Sequence, residues 1–274
     1  KKDQILRDVQ EAVQWLNETY YDQLAEEVFG VSPEHRHIEI EVESFAPRLF
    51  IPSQSPPHDD VGVKKRYIQH ETWNDDDGDC DTISITGLEA ERSDIAPITR
   101  TVQEHFADTL RMDDSTAKEN LYPQLREIVS AIRSKEMGID RIGKRKGIGQ
   151  SLFEYGSETR RPSPIYRGAK YANENLDGVT IQHGDKPICV FVDRVTGDLP
   201  NTYTATTAED GDVVDAIAVN TPQQLPDEVV IDYEKHLQKT VIDPMEPLLA
   251  TRFGANPWTE IIDQHSQSGL GSFA

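Results

Sequence analysis

The sequence predicts an α+β fold: a long N-terminal helix and antiparallel strands, then a mostly helical part with a small β element. The first observation is a helical spacing of apolar residues across residues 3–29. The second is the alternation of Ile38, Ile40 and Val42 with glutamates, which predicts a strand with one buried and one acidic face. The third is the return of helical spacing beyond Pro97, interrupted by two short apolar runs.

The other elements are predicted from similar patterns of apolar spacing and turn residues. In chain order they are a surface loop at 53–60, strands at 63–69 and 82–86 joined by an acidic tip at 74–81, helices beginning near 97 and 115, a Gly- and Lys-rich connection at 138–149, a helix at 164–176, strands at 188–195 and 213–219, helices over 232–253 broken at Pro244, and a tail from 254. Ser93-Asp94 is expected to cap the helix beginning near 97, whose inner face would hold Ile98, Val102, Phe106 and Leu110.

Composition limits the class of protein. The 274 residues carry a formal net charge of −21, and no apolar run is long enough to span a bilayer. Cys80 and Cys189 are too few for a disulfide framework or a four-cysteine zinc site, which favours an intracellular, cytoplasmic protein. The charge indicates either a basic or protein partner, or a halophilic protein from a salt-loaded cytoplasm. We prefer the second interpretation, because at about 1 M salt the Debye length is about 3 Å and direct contacts of local basic clusters survive.

Two carboxylates are candidate metal ligands. Glu41 and Glu43 lie two residues apart, so on a strand both side chains emerge from one face. That spacing suits hard cations held by oxygen. The alternative is a half-exposed strand with a solvated acidic edge.

The run Lys64-Lys65-Arg66-Tyr67 is a candidate duplex contact. On an extended strand Lys64 and Arg66 would face one way, and Lys65 and Tyr67 the other. Either pair could then reach phosphate oxygens or the minor-groove edge of a duplex. Because the minor groove presents acceptors at similar places for every base pair, such a contact tests pairing geometry and not sequence. The alternative is an ordinary exposed charge run.

Residues 85–97 contain Gly-Leu-Glu-Ala-Glu-Arg-Ser-Asp at positions 87–94. At a helix start, Asp94 can satisfy free amides and orient Arg92 towards a phosphate. A capped helix with a structural ion pair is the alternative, and both can hold together.

Two more basic clusters lie further along the chain. The first is Lys144, Arg145 and Lys146. Its flanking glycines would let backbone amides approach a phosphate, although the spacing is not that of a Walker loop. In the second cluster, Arg167 and Lys170 are three apart and share a face of the predicted helix. A solvent-facing basic turn is the alternative.

The last eight residues fit most of a sliding-clamp box, Gln-x-x-(Leu/Ile/Met)-x-x-aromatic-aromatic. A short helical turn would place Leu270 and Phe273 on one side as an apolar plug, with Gln267 at the pocket rim. Ala274 replaces the second aromatic residue, which should weaken binding. A disordered end with one stray Phe is the alternative.

The order of these motifs resembles the family B DNA polymerases of the archaeal type. In that family a Glu-x-Glu-x-Glu palm strand leads into Lys-Lys-(Arg/Lys)-Tyr, and Gly-(Leu/Phe)-Glu-x-x-Arg-x-Asp opens a helix. Residues 231–235 and 242–249 resemble the closing helices. The resemblance covers nearly the whole chain. It implies the end of the palm at 1–62, a duplex-gripping thumb at 63–253 and a clamp-binding tail at 254–274.

The resemblance also implies roles for the candidate residues. Glu41 and Glu43 would be auxiliary ligands near the catalytic Mg²⁺. The implied contacts to primer–template DNA are Lys64, Lys65, Arg66, Tyr67, Arg92, Asp94, Lys144, Arg145, Lys146, Arg167 and Lys170. Gln267, Leu270 and Phe273 would bind a PCNA-like sliding clamp. Together the basic clusters are expected to line one wall that cradles a double helix.

The family places its exonuclease, its fingers and its catalytic Asp-Thr-Asp turn before the segment that this chain resembles. The chain is therefore expected to be a C-terminal piece: a split-gene product, a segment following an intein, or a truncated form. It would supply no catalytic residue, would be inactive alone, and would depend on an N-terminal polymerase portion to bind dNTP.

Two alternatives stay open. One is a non-catalytic DNA-binding or clamp-binding accessory protein. The other is an independent metal enzyme that uses Asp79 and Asp81, which look like the family's Asp-Thr-Asp turn. We interpret that pair instead as part of a solvated hairpin tip, since it lies downstream of the Glu-rich segment.

Overall fold

The computed structural model describes residues 1–35, 37, 39–54, 62–152, 163–195 and 215–262. The chain divides into two compact units, the first made of residues 1–50 and 68–84 and the second of residues 51–67 and 85–274. Helices and antiparallel sheets are both present, so the predicted α+β class is confirmed. Among the described residues, no helix is long and apolar enough to cross a membrane.

The first unit begins with the predicted long helical segment. It consists of α1 (Lys2–Trp15), a π-helical turn (Leu16–Tyr20) and α2 (Tyr21–Glu27). Leu6 and Ala25 are the buried residues of the segment. The more exposed members of the apolar stripe are Ile5, Val9, Tyr20 and Val28.

The first sheet is antiparallel, with the order β1–β3–β2 and with β4 paired to β3. Its strands are β1 (Ser44–Phe45), β2 (Arg48–Phe50), β3 (Tyr67–Asn74) and β4 (Gly78–Thr86). The strand predicted at 63–69 thus begins only at Tyr67, and the strand predicted at 82–86 begins earlier, at Gly78. The hairpin tip is therefore the turn at 75–77, shorter than the predicted tip at 74–81.

The strand predicted for the Glu-rich segment does not form in its described residues, 37 and 39–43. Ser44 pairs with Asn74, the last residue of β3, so a strand continued backwards would face the hairpin turn. One bond of the ladder survives, from Asp75 N to Glu43 O (3.1 Å). The side chain of Asn17 binds both backbone groups of Ile40, at 2.8 and 3.0 Å, in place of a strand partner.

The second unit contains two helices whose positions the sequence predicted. In α3 (Pro97–Asp108), Ile98, Val102 and Phe106 are at most 1% exposed, as expected. The predicted cap is wrong, because the residue before α3 is Ala96 and no side chain caps it. The next helix is α4 (Asp114–Arg133), capped by Asp113.

The C-terminal helices continue through the expected break. A π-helical turn (Gln238–Ile242) joins α7 (Tyr233–Leu237) to α8 (Asp243–Phe253). Pro244 lies in the first turn of α8, where its missing N–H breaks no bond of that helix. A further helix, α9 (Pro257–Ile262), occupies part of the predicted tail and buries Trp258 and Ile261.

A second antiparallel sheet has the order β5–β6–β7, with β8 paired to β6. Its strands are β5 (Lys144–Arg145), β6 (Ile188–Val195), β7 (Ala216–Val219) and β8 (Val229–Ile231), and β5 follows the short helix α5 (Ile139–Ile142). Against it packs α6 (Pro164–Asn175). A Cβ atom at Gly168 would lie 2.8 Å from Ala216 O and Ala218 N, so only glycine allows this approach of α6 to β7.

Buried His236 joins α7 to the second sheet. Its Nε2 accepts from Phe191 N (2.9 Å), and its Nδ1 donates to Ile142 O (3.1 Å). Both ring nitrogens are thereby satisfied in the neutral form. Burial lowers the pKa of the imidazole to about 4.

Candidate nucleic-acid interface

The basic run at 64–67 forms a turn and not an extended strand. Lys65 has a φ of 59°, in the left-handed region that residues other than glycine rarely adopt. The expected alternation of Lys64 and Arg66 against Lys65 and Tyr67 is therefore wrong. Lys64, Lys65 and Arg66 are all exposed, and Tyr67 begins β3.

This turn packs against the start of the 85–97 motif. The carbonyl oxygen of Lys65 lies less than 3.0 Å from the position that a Cβ atom would take at Gly87, whose φ is 69°. Next to this contact, Arg66 Nη1 lies 3.8 Å from Glu89 Oε1. Buried Gln103 donates to the other oxygen of Glu89 (2.9 Å) and accepts from Ala90 N (2.7 Å). The two motifs thus form one contiguous structure.

Arg92 and Asp94 form a bidentate ion pair. Arg92 Nε and Nη2 each donate to one carboxylate oxygen of Asp94 at 2.8 Å. The hydrogen bonds from Arg92 to Asp94 lower the pKa of Asp94 and raise the pKa of Arg92. The predicted pairing is therefore present, and Asp94 orients Arg92 without capping α3. About half of the Arg92 side chain (56%) remains exposed.

A cavity of about 450 Å³ brings several of the predicted residues together. Its basic lining residues are Arg92, Lys144, Lys146 and Lys239. Its acidic lining residues are Glu89, Asp94 and Asp243. Glu89 also faces the basic turn, since its Oε1 lies 3.8 Å from Arg66 Nη1. Ser163, at the start of α6, completes the polar wall.

The 143–149 segment does not offer its backbone amides to a phosphate in the way expected. Lys144 and Arg145 form β5, in register with Cys189 and Ile188 of β6. Four amides of the segment already have acceptors within the protein. They are Gly143 N to Ile139 O, Lys146 N to Pro187 O, Ile148 N to Asp185 O, and Gly149 N to Tyr166 OH. These four amides are therefore not available to a phosphate.

The two basic residues of α6 have different environments. The Arg167 side chain is 9% exposed and forms an ion pair with Asp215, which also accepts from Lys235 Nζ at 3.2 Å. Burial works against ionisation of Asp215, but Arg167 and Lys235 leave its pKa lowered. Lys170 is exposed. The geometry thus gives Arg167 a structural partner and leaves Lys170 at the surface.

Glu41 and Glu43 are the predicted auxiliary metal ligands. Both are exposed on the extended segment. Within the described ranges, no group of three or more His, Cys, Asp or Glu residues is placed to hold a metal ion. Mg²⁺ is often held by only one or two carboxylates together with substrate phosphates, so the ligand role of both glutamates stays a prediction.

The candidates that remain are the alternative metal pair and the clamp-box residues. Asp79 and Asp81 are exposed on β4 and pair with Lys2 and His70 respectively. The clamp-box residues Gln267, Leu270 and Phe273 lie outside the described residues.

Sequence reasoning missed three residues that the structure connects to the cavity or its support. Ser163 precedes a proline that starts α6, and Lys239 lies in the π-helical turn next to Asp243. The Ser-Pro pair at 163–164 was a signal for a helix start. Lys239 and Asp243 lie four apart in the predicted helical segment, so their pairing had a local signal. Nothing local identified the buried His236, because its partners Phe191 and Ile142 are distant in sequence.

No protein-family model matches the chain, and no curated protein matches it. The family B DNA polymerase from the hyperthermophilic archaeon Pyrobaculum calidifontis aligns with 82% of this chain at 18% sequence identity and a TM-score of 0.48. The aligned region spans 23% of that polymerase. The function proposed for the chain rests on its motifs and their geometry.

Proposed function

We propose that the chain is the C-terminal palm and thumb portion of a family B DNA polymerase, and that it binds the primer–template duplex. The observation that carries the proposal is the packing of Lys65 on Gly87. These residues belong to two motifs, 64–67 and 85–97, that the resemblance assigns to the same part of the enzyme. Their contact is specific, because a side chain at Gly87 would collide with the Lys65 backbone.

The distribution of charge supports duplex binding. The chain has a formal net charge of −21, yet the turn presents three consecutive exposed cations, Lys64, Lys65 and Arg66. The nearby cavity adds basic side chains. Basic side chains that neutralise phosphates release counterions and supply affinity that does not depend on sequence. That is the type of contact a template-copying enzyme needs.

Under this proposal the complete enzyme performs template-directed nucleotidyl transfer. An N-terminal polymerase portion binds dNTP and supplies the aspartates for Mg²⁺, with Glu41 and Glu43 as auxiliary carboxylates. Residues 1–62 end the palm, residues 63–253 form the thumb, and the tail at 254–274 binds a PCNA-like clamp. A salt-loaded cytoplasm accounts for the acidic surface.

A primer-extension assay tests whether this chain needs an N-terminal polymerase portion for nucleotidyl transfer. We expect no extension by this chain alone, and extension when an N-terminal family B portion that ends in the Asp-Thr-Asp turn is added. The N-terminal portion alone is the control. Robust extension by the isolated chain would refute the proposal. For the tail, Phe273→Ala in the full chain should abolish clamp binding and leave duplex binding unchanged.

A further inference from the structure

The cavity in the second unit has a surplus of cations that its own carboxylates do not use. Asp94 is paired with Arg92, and Asp243 accepts from Lys239 Nζ (2.8 Å). Gln238 donates to the other oxygen of Asp243 (2.6 Å). Glu89 accepts from Gln103 and lies near Arg66. Each acidic group of the wall therefore has a partner.

Lys144 and Lys146 are the cations left over. Neither makes an ion pair with a described residue. Lys144 is half-buried, and burial lowers its pKa, with Asp243 opposing this effect only in part. Burial of the Lys144 ammonium group is unfavourable, and an anion in the cavity would relieve the part of that cost that Asp243 does not offset.

The start of α6 supplies a second, independent feature. Ser163 is the N-cap residue of this 12-residue helix, yet its hydroxyl does not cap it. The Ser163 Oγ atom is buried and has no hydrogen-bond partner among the residues that the structure describes. An unused buried hydroxyl is costly, and it lies at the positive end of a helix dipole in the cavity wall.

We infer that this cavity binds one phosphate group, held by the ammonium groups of Lys144 and Lys146 and by the Ser163 hydroxyl at the start of α6. The hydroxyl donates to one phosphate oxygen, and the two lysines neutralise the charge. The inference goes beyond the proposed function, because such a site would bind phosphate whether or not the basic turn grips a duplex. The phosphate could belong to a nucleic acid or be free in solution, and the chemistry of recognition is the same.

Inorganic phosphate is the probe. We expect phosphate to raise the Tm of the full chain above its Tm in chloride at equal pH and ionic strength, and titration calorimetry to give a saturable isotherm. Lys144→Met and Ser163→Ala should each weaken phosphate binding, Lys144→Met by about tenfold or more. Lys135→Met is the control, because Lys135 is exposed, does not line the cavity and is not among the predicted DNA contacts; it should bind phosphate as the wild type does.

Two outcomes would overturn the inference: a wild-type response equal to that in chloride, or phosphate binding by Lys144→Met that equals the wild type. Without phosphate, Lys144→Met should have a higher Tm than the wild type, because the substitution removes a half-buried charge. That result, together with loss of the Tm increase on adding phosphate, supports the inference. Competition then identifies the source. If an unphosphorylated duplex displaces phosphate, the site takes a backbone phosphate; if it does not, the site takes a free phosphate.

Discussion

The carbonyl oxygen of Lys65 occupies the space where a side chain would begin at Gly87. Both residues have positive φ angles, 59° and 69°. The left-handed turn at Lys65 costs on the order of 1 kcal/mol, which its packing on Gly87 must offset. This contact aligns the basic turn with the 85–97 motif, and it is the feature on which the proposed interface depends.

Gly87→Ala should destabilise the second unit by more than about 2 kcal/mol, because backbone strain and a collision with the Lys65 carbonyl add together. Gly178→Ala is the matched control in the same unit. Gly178 also has a positive φ (71°), but open space lies around it, so its cost should be about 1 kcal/mol. Urea unfolding measures both. Equal losses of unfolding free energy would show that the contact is not tight.

Asp94→Asn should weaken duplex binding, although it removes a negative charge from the interface. Charge alone predicts tighter binding, whereas loss of the bidentate pair lets Arg92 move freely and costs about 0.5–1.5 kcal/mol of ordering. Asp108→Asn is the control, since Asp108 pairs with Arg111 (2.9 Å) outside the interface. Fluorescence anisotropy with a labelled duplex shows whether each substitution raises or lowers the duplex affinity. Tighter binding by Asp94→Asn would show that Asp94 does not position Arg92.

Arg167→Met should lower the unfolding free energy by about 2 kcal/mol, because Asp215 loses one of the two cations that pair with it among the described residues. Duplex affinity of the folded variant should change by less than threefold. Lys170→Met, on the exposed side of α6, should change stability by less than about 0.5 kcal/mol. A large loss of affinity in Arg167→Met with unchanged stability would instead support the sequence-based role in DNA contact.

His236 should make stability depend on pH between about 6.5 and 4. Its pKa is about 4 in the folded chain and about 6.5 when unfolded, so the unfolded state binds more protons in this range. Stability is therefore full above pH 6.5 and falls as the pH drops towards 4, by up to about 3 kcal/mol. His236→Gln should be less stable at pH 7, and its deficit should shrink at pH 4.5. A constant deficit across urea titrations at both pH values would contradict this assignment.

The sequence predicted those parts of the fold that depend on local spacing. Ile98, Val102 and Phe106 line the inner face of α3 because helical periodicity alone decides which residues share a face. The ion pair of Arg92 and Asp94 was also accessible, since the two residues are neighbours in the chain.

Features that depend on distant partners could not be predicted. The left-handed turn at Lys65 is supported by Gly87, 22 residues later in the sequence. Arg167 turned inward because Asp215 lies 48 residues away in the chain but next to it in the fold. The Glu-rich segment alternated as a strand should, and Glu39, Glu41 and Glu43 are indeed exposed. The segment does not pair as a strand because β3, the strand that it would have to pair with, ends and turns at 75–77. The sequence of the Glu-rich segment alone does not reveal where β3 ends.

The most direct test of the interface compares Lys65→Ala with Lys135→Ala. Both lysines are exposed and both have positive φ angles, 59° and 63°, so the two substitutions remove the same charge from similar backbones. Duplex affinity should be measured by anisotropy across a series of salt concentrations. We predict that Lys65→Ala weakens binding and reduces the slope of log K against log salt by about 1, while Lys135→Ala behaves as the wild type. Identical slopes and affinities for the two variants would contradict the account.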